Sequence, residues 1–93
     1  MYATVRTYSG NPGLADALVS NEDAVKELIS GIDGFRAYYL VRTSDGAVSI
    51  SVYDNEAGAD ESTRAAATWI SENLPDMGGS APAVSAGEVV ITA

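Results

Sequence analysis

A chain of 93 residues supports one domain, expected to span residues 1–93, and a domain of that size buries so modest a share of its surface that pairing with a second copy is a common remedy. Five basic against thirteen acidic residues leave a net charge of −8, which would repel a nucleic-acid backbone and an anionic membrane alike. Cysteine and histidine are both absent, which excludes disulfides and thiol catalysis and removes the commonest general base, metal ligand and haem ligand. No stretch approaches the ~20 apolar residues of a membrane span, and "MYATVRTYSG" has no charged lead before an apolar run, so a cytoplasmic protein is expected.

"YATVRTY", residues 2–8, is rich in β-branched and aromatic residues and reads as a strand with Tyr2, Thr4, Arg6 and Tyr8 on one face. "SGNPG" breaks it, with Asn11 placed to cap a helix and Pro12 at its first position. Residues 12–30 read as helical, the stripe Leu14, Leu18, Val25, Leu28 and, just beyond, Ile32 recurring at near-helical spacing. Ser20 and Asp23 resemble a second capping box, so this helix is expected to bend or restart there. Glu22 and Lys26 form an i,i+4 pair, and Gly31 is expected as a left-handed stop.

"GFRAYYLVRTSDGAVSISVYD", residues 34–54, reads as a hairpin turning at Asp45-Gly46. That register sets Arg42 against Ser49, Leu40 against Ser51 and Tyr38 against Tyr53, and leaves Ala37, Tyr39, Val41, Val48, Ile50 and Val52 as an apolar face to receive helices. A second helix follows, capped by Asp54 or Asn55 and ended by Pro75, with Ala59, Ser62, Ala66, Trp69, Ile70 and Asn73 on one side and Asp60 paired with Arg64. Residues 75–87 read as a loop whose "MGGS" could serve as a lid, and "EVVITA" as a closing strand. The order β-α-β-β-α-β predicts a ferredoxin-like α+β sandwich, a four-stranded antiparallel sheet with helices on one face.

The other sheet face is expected to be uncovered and to display Tyr2, Thr4, Arg6, Tyr8, Arg36, Tyr38, Leu40, Arg42, Ser49, Ser51 and Tyr53. Two copies packed face to face would enclose a cavity of phenols, hydroxyls and guanidinium groups, suited to a small anionic or enolate-like molecule. The simpler alternatives are arginines at strand ends that pair with acids, tyrosines that only pack an interface, and Trp69 as core. No phosphate loop, dinucleotide fingerprint or calcium-loop spacing is present, and neither a metal nor a cofactor is expected.

In "MYATVRTY", "GFRAYYLVRTSDG", "VSISVYDNEAGADESTRAAATWISENLP" and "SAGEVVIT" the chain resembles the dimeric α/β-barrel superfamily, and within it the small antibiotic-biosynthesis-monooxygenase-like proteins. The resemblance implies a homodimer with facing sheets and helices outside. Its relatives include cofactor-free oxygenases of polyphenolic compounds and haem-degrading enzymes, the latter a poor match because their pattern includes a histidine. It associates a tryptophan on the second helix with the pocket, which Trp69 matches, while Arg6, Tyr38, Arg42 and Tyr53 match in general location. The expected function is a cofactor-independent monooxygenase acting on a small aromatic or enolisable compound, in a pocket between sheet and second helix of a homodimer. Arg6, Tyr38, Arg42, Tyr53 and Trp69 would be catalytic, and Thr4, Tyr8, Leu40, Ser49 and Ser51 would bind substrate. A non-catalytic ligand-binding or structural dimer is the alternative, and an isomerase or cyclase using tyrosine acid–base chemistry a weaker one.

Overall fold

The computed structural model describes residues 1–77 and 81–93. The lid expected at "MGGS" therefore falls largely on residues 78–80, outside the described residues. Strand β1 (Tyr2–Tyr8) leads into helices α1 (Leu14–Ser20) and α2 (Glu22–Ser30), then strands β2 (Phe35–Thr43) and β3 (Gly46–Tyr53), helix α3 (Glu56–Asn73), a 3-10 turn at Pro75–Met77, and strand β4 (Ala83–Glu88). The sheet order is β2-β3-β1-β4 with every neighbouring pair antiparallel. This is the ferredoxin-like arrangement, as the element order predicts.

The first helical run does break where expected, but by a different device. Asn21 ends α1 and precedes α2, with its side-chain amide donating to the Ala17 carbonyl at 2.8 Å, while Ser20 bonds back to Asp16 O at 3.0 Å instead of capping α2. Asn11 donates to the Met77 carbonyl and Leu14, not Pro12, begins α1. Gly31 is right-handed at φ −77°, and the left-handed position is Gly34 at φ +82°, whose carbonyl accepts from Asp54 N at 2.8 Å. Asn55 caps α3 as expected, accepting from Gly58 N at 3.2 Å.

The hairpin turns one residue earlier than Asp45-Gly46. Thr43 pairs with Gly46, so Tyr38 faces Ser51, Leu40 faces Ser49 and Arg42 faces Ala47. The slip is two residues in pairing, so it leaves every side chain on its expected side of the sheet. Gly46 belongs inside the sheet because a Cβ there would sit 2.1 Å from the Tyr8 carbonyl oxygen. A bulge between Phe35 and Ala37 pushes Arg36 outward to pair with Asp54. The last strand is Ala83–Glu88, not "EVVITA"; Val90 and Ile91 stand exposed beyond it.

The largest correction concerns the two faces of the sheet. The helices cover the side expected to be open, formed by the even-numbered residues of β1 and β2 and the odd-numbered residues of β3. Tyr8, Tyr38 and Leu40 pack with Leu14, Leu18, Val25 and Trp69; Tyr53 packs with Ile29 and Ala59. Thr4, Arg6, Ser49, Ser51 and Tyr53 are buried there. The open side carries Ala3, Val5, Ala37, Tyr39, Val41, Val48, Ile50 and Val52, with Tyr39 61% exposed. Alternation divides a strand into two sets but does not say which set the helices take. Here the set with Arg6 and the tyrosines wins because its phenol rings and leucine bury more apolar area than valines do, and because α3 brings hydroxyls that satisfy its arginine.

Replacing Gly46 by alanine forces the β1–β3 backbones apart, and urea unfolding should show a loss of about 1–3 kcal/mol or more, the usual range for overpacking.

Candidate functional site

Strand β1 aims Arg6 into the layer between sheet and α3, where it is 1% exposed. Its guanidinium is held entirely by neutral hydroxyls. Nε donates to Ser49 Oγ at 3.0 Å, Nη2 to Ser51 Oγ at 2.9 Å, and Nη1 to Ser62 Oγ at 3.0 Å and Thr63 Oγ1 at 3.2 Å. Ser62 passes its own proton to the Ala59 carbonyl at 2.7 Å, which turns its lone pairs toward the arginine. Arginine cannot shed its proton at any ordinary pH, so the site keeps a positive charge. The other four basic residues all have carboxylate partners at the surface: Lys26–Glu22, Arg36–Asp54, Arg42–Asp16 and Arg64–Glu61. Arg64 thus takes Glu61 in place of the expected Asp60. Arg6 alone has no ion pair among the described residues.

Three phenols surround this charge. Burial pushes Tyr8, Tyr38 and Tyr53 above the ordinary tyrosine value, and in each case the Arg6 charge pulls the other way. Tyr53 is anchored: its hydroxyl donates to Ile29 O at 2.7 Å and its ring meets Phe35 edge-on at 5.9 Å. Gly58 lets α3 lie directly on that ring, since a Cβ there would come within 2.9 Å of it. Tyr38 has no side-chain hydrogen bond among the described residues. Thr4 Oγ1 is buried without a partner.

Two spaces lie near this cluster, and Arg6 lines the inner one. The inner one, about 20 Å³, is lined by Arg6, Tyr8, Tyr38, Ser49 and Trp69 together with apolar side chains that include Ala66 and Ile70. The outer one, about 370 Å³, lies between α3 and β4 and is walled by Tyr8, Thr63, Ile70, Met77, Pro82 and Val84 among others. Tyr8 and Ile70 line both. The outer space is of small-molecule size and mostly apolar, as ligand pockets are. A wider recess beside Asp33, Asp54 and Glu61 is an open surface hollow at the start of α3. Among the described residues no group of three or more carboxylates is placed to hold a metal.

The fold therefore brings together Arg6, Tyr8, Tyr38, Ser49 and Trp69, and adds Ser51 through its bond to Arg6. Tyr53 and Thr4 are buried along the same face but do not line the inner cavity, and Leu40 packs in the core. Arg42 is excluded: it is exposed and paired with Asp16 at 2.5 Å, at the strand end where an arginine can reach water. The expected cavity between two arginine-bearing sheet faces is overturned, because those residues lie under the helices. Ser62 and Thr63, which complete the guanidinium cradle, carry a weak signal: Ser62 sits in the otherwise apolar stripe of α3.

No protein-family model and no curated protein matches the sequence. Among solved structures, the chain is similar to a protein of unknown function from Nitrosomonas europaea, with TM-score 0.69, 19% identity and coverage of 99% of this chain and 90% of that one. It is also similar to Rv0793 from Mycobacterium tuberculosis, with TM-score 0.65, 19% identity and coverage of 99% and 97%. A third is a monooxygenase of Streptomyces coelicolor from the gene ActVA-Orf6, in complex with nanaomycin D, with TM-score 0.60, 18% identity and coverage of 98% and 91%. At these identities the likeness is one of fold, and it bears out at that level the resemblance drawn from the sequence.

The phenols give the site an alkaline signature. Below the ordinary value of 10.0 they are protonated in both folded and unfolded chains; above it the unfolded chain releases their protons first. Stability is therefore full below about pH 10 and falls as pH rises further. Denaturation midpoints at stepped pH should fall less steeply in a Tyr8→Phe, Tyr38→Phe double variant.

Proposed function

We propose that this chain is a cofactor-independent monooxygenase that oxidises a small aromatic, polyphenolic or enolisable compound, working as a homodimer. The observation that carries this reading is Arg6, a permanent charge buried without a carboxylate among the described residues, in a small cavity that shares Tyr8 and Ile70 with a neighbouring pocket of small-molecule size. The fold shared with a monooxygenase of Streptomyces coelicolor supports it. A phenolic ring lies in the outer pocket against Ile70, Met77 and Val84, and the guanidinium beyond Tyr8 stabilises its anion in surroundings that exclude water. The phenolate passes one electron to dioxygen, and the resulting superoxide joins a ring carbon as a hydroperoxide. Loss of water leaves a quinone. Phenol and O₂ become quinone and water, with four electrons passing from ring to dioxygen, so no outside reductant is required.

The open sheet face supplies the second half of the proposal. Val5, Val41, Val48, Ile50, Val52 and Tyr39 form a contiguous apolar surface on the face of the sheet that the helices leave open, the kind of surface that marks an interaction site. Two copies meeting there close a barrel with dry walls, and each copy keeps its own pocket beneath α3.

One observation favours a non-catalytic binding module instead. The inner space admits no more than one or two heavy atoms and Arg6 does not line the outer pocket, so an aromatic ring in the outer pocket does not touch Arg6. The two readings separate in an oxygen electrode.

With a dihydroxynaphthalene under air and a metal chelator present, the protein should consume oxygen. Arg6→Gln should lower the rate about 10²–10³-fold, the cost of one well-placed oxyanion donor, and Arg42→Ala should leave it unchanged. Binding of the naphthalene with no oxygen uptake would establish the module. Sedimentation should give a dimer for the native chain and a monomer for Ile50→Lys.

A further inference from the structure

The inner space at Arg6 has a composition that its position in a core does not explain. Apolar residues, Leu18, Val25, Leu28, Ile29, Ala66, Trp69 and Ile70, form most of its wall. The rest is Arg6, Tyr8, Tyr38 and Ser49, whose side chains can all donate a hydrogen bond and none of which bears negative charge. The volume, about 20 Å³, admits an occupant of one or two heavy atoms and no more. Four of the five Arg6 N–H donors are taken by Ser49, Ser51, Ser62 and Thr63, and the Tyr8 hydroxyl at the cavity wall lies beside the same guanidinium. Each of the other four basic side chains has its own carboxylate among the described residues. A buried charge without a counter-ion is costly, and a cradle of neutral hydroxyls satisfies hydrogen-bonding capacity without neutralising that charge.

We infer that the cavity beside Arg6 is a binding site for a small inorganic anion of one or two atoms, held by the guanidinium and the Tyr38 hydroxyl. The site is separate from the outer pocket and is divided from it by Tyr8 and Ile70. Halides match its size and charge. Under the monooxygenase reading, which this inference deepens but does not require, the same place takes superoxide: dioxygen enters through the apolar wall, and its one-electron reduced form is held by Arg6 until it joins the ring. The division explains how a cavity too small for an aromatic molecule can serve a reaction on one.

The test uses bromide and the intact protein. Any salt screens the self-repulsion of a chain with net charge −8, so the effect must be read against a variant of the same charge. Ala66→Leu fills the cavity and leaves every charge in place, while Arg6→Met removes the charge and keeps the bulk. With bromide at roughly five times its dissociation constant, the melting temperature of the native protein should rise about 4–8 °C more than that of either variant. Anomalous scattering from a bromide-soaked crystal should place the ion between Arg6 and Tyr38. Equal shifts in all three proteins, or bromide found only at the surface, would overturn the inference. The two readings fail separately: the thermal shift needs no turnover. If oxygen is consumed, bromide should raise the KM for O₂ and leave the KM for the organic substrate unchanged; competition with the organic substrate instead would mean a single undivided pocket and would also overturn it.

Discussion

The structure is organised around a cation that cannot be neutralised. Arg6 stays protonated at any ordinary pH, and the fold encloses it completely. Desolvating such a charge costs several kcal/mol, while each hydrogen bond to a charged group contributes roughly 1.5–3 kcal/mol. Four bonds to hydroxyls are therefore enough to offset the penalty. The arrangement fixes geometry more than it adds stability: a single guanidinium ties β1 to Ser49 and Ser51 of β3 and to Ser62 and Thr63 of α3. Its planar fork tolerates little displacement of any of the three elements, so it sets the height of α3 above the sheet. That height, in turn, determines the space around Tyr8, Tyr38 and Trp69.

The same constraint sorts the remaining surface. With Arg6 and its hydroxyls beneath the helices, Val5, Val41, Val48, Ile50 and Val52 are left on the outside, and the acids line the helix exteriors and turns. The four surface ion pairs involve side chains roughly half or more exposed, so each contributes little to stability. They matter electrostatically in a different way: each cancels a positive charge locally and leaves Arg6 as the one centre of unbalanced positive potential inside an acidic shell. An anion that passes the shell has one place to go.

How far the sequence revealed this depended on which physical rule governed each feature. Element order and the hairpin came through because alternation and turn chemistry act over a few residues. The two-residue slip of the hairpin was invisible, because "TSDG" can turn at either of two places and both keep the same side-chain parity. The helix break near Ser20 was legible from polar residues between two apolar runs, although Asn21, not Ser20, makes it. The choice of covered face was not legible. Both faces of "AYYLV" and "VSISV" can be buried, and the decision rests on contacts with α3 some sixty residues from Arg6. Residues expected to share a site did meet, yet under the helices and not between two subunits. Arg42 failed because its strand end lies beside Asp16, a contact of tertiary origin. The final strand was misplaced because "EVVIT" has the higher β-propensity, while pairing with β1 selected the weaker "AVSAGE".

The similar structures share less than a fifth of their residues with this chain yet cover nearly all of it, which shows how weakly the sandwich constrains what its layer interior contains. A ferredoxin-like sandwich needs a helix layer that fits one sheet face; it does not need an arginine there. An apolar residue at position 6 would fill the space without any desolvation cost and would free Ser49, Ser51, Ser62 and Thr63 to be alanine or valine. Five positions thus carry polar groups where packing alone favours none, and they converge on one guanidinium. A cluster that packing stability does not demand lies next to a cavity that a slightly larger residue at Ala66 would abolish, and the proposed anion site rests on that juxtaposition.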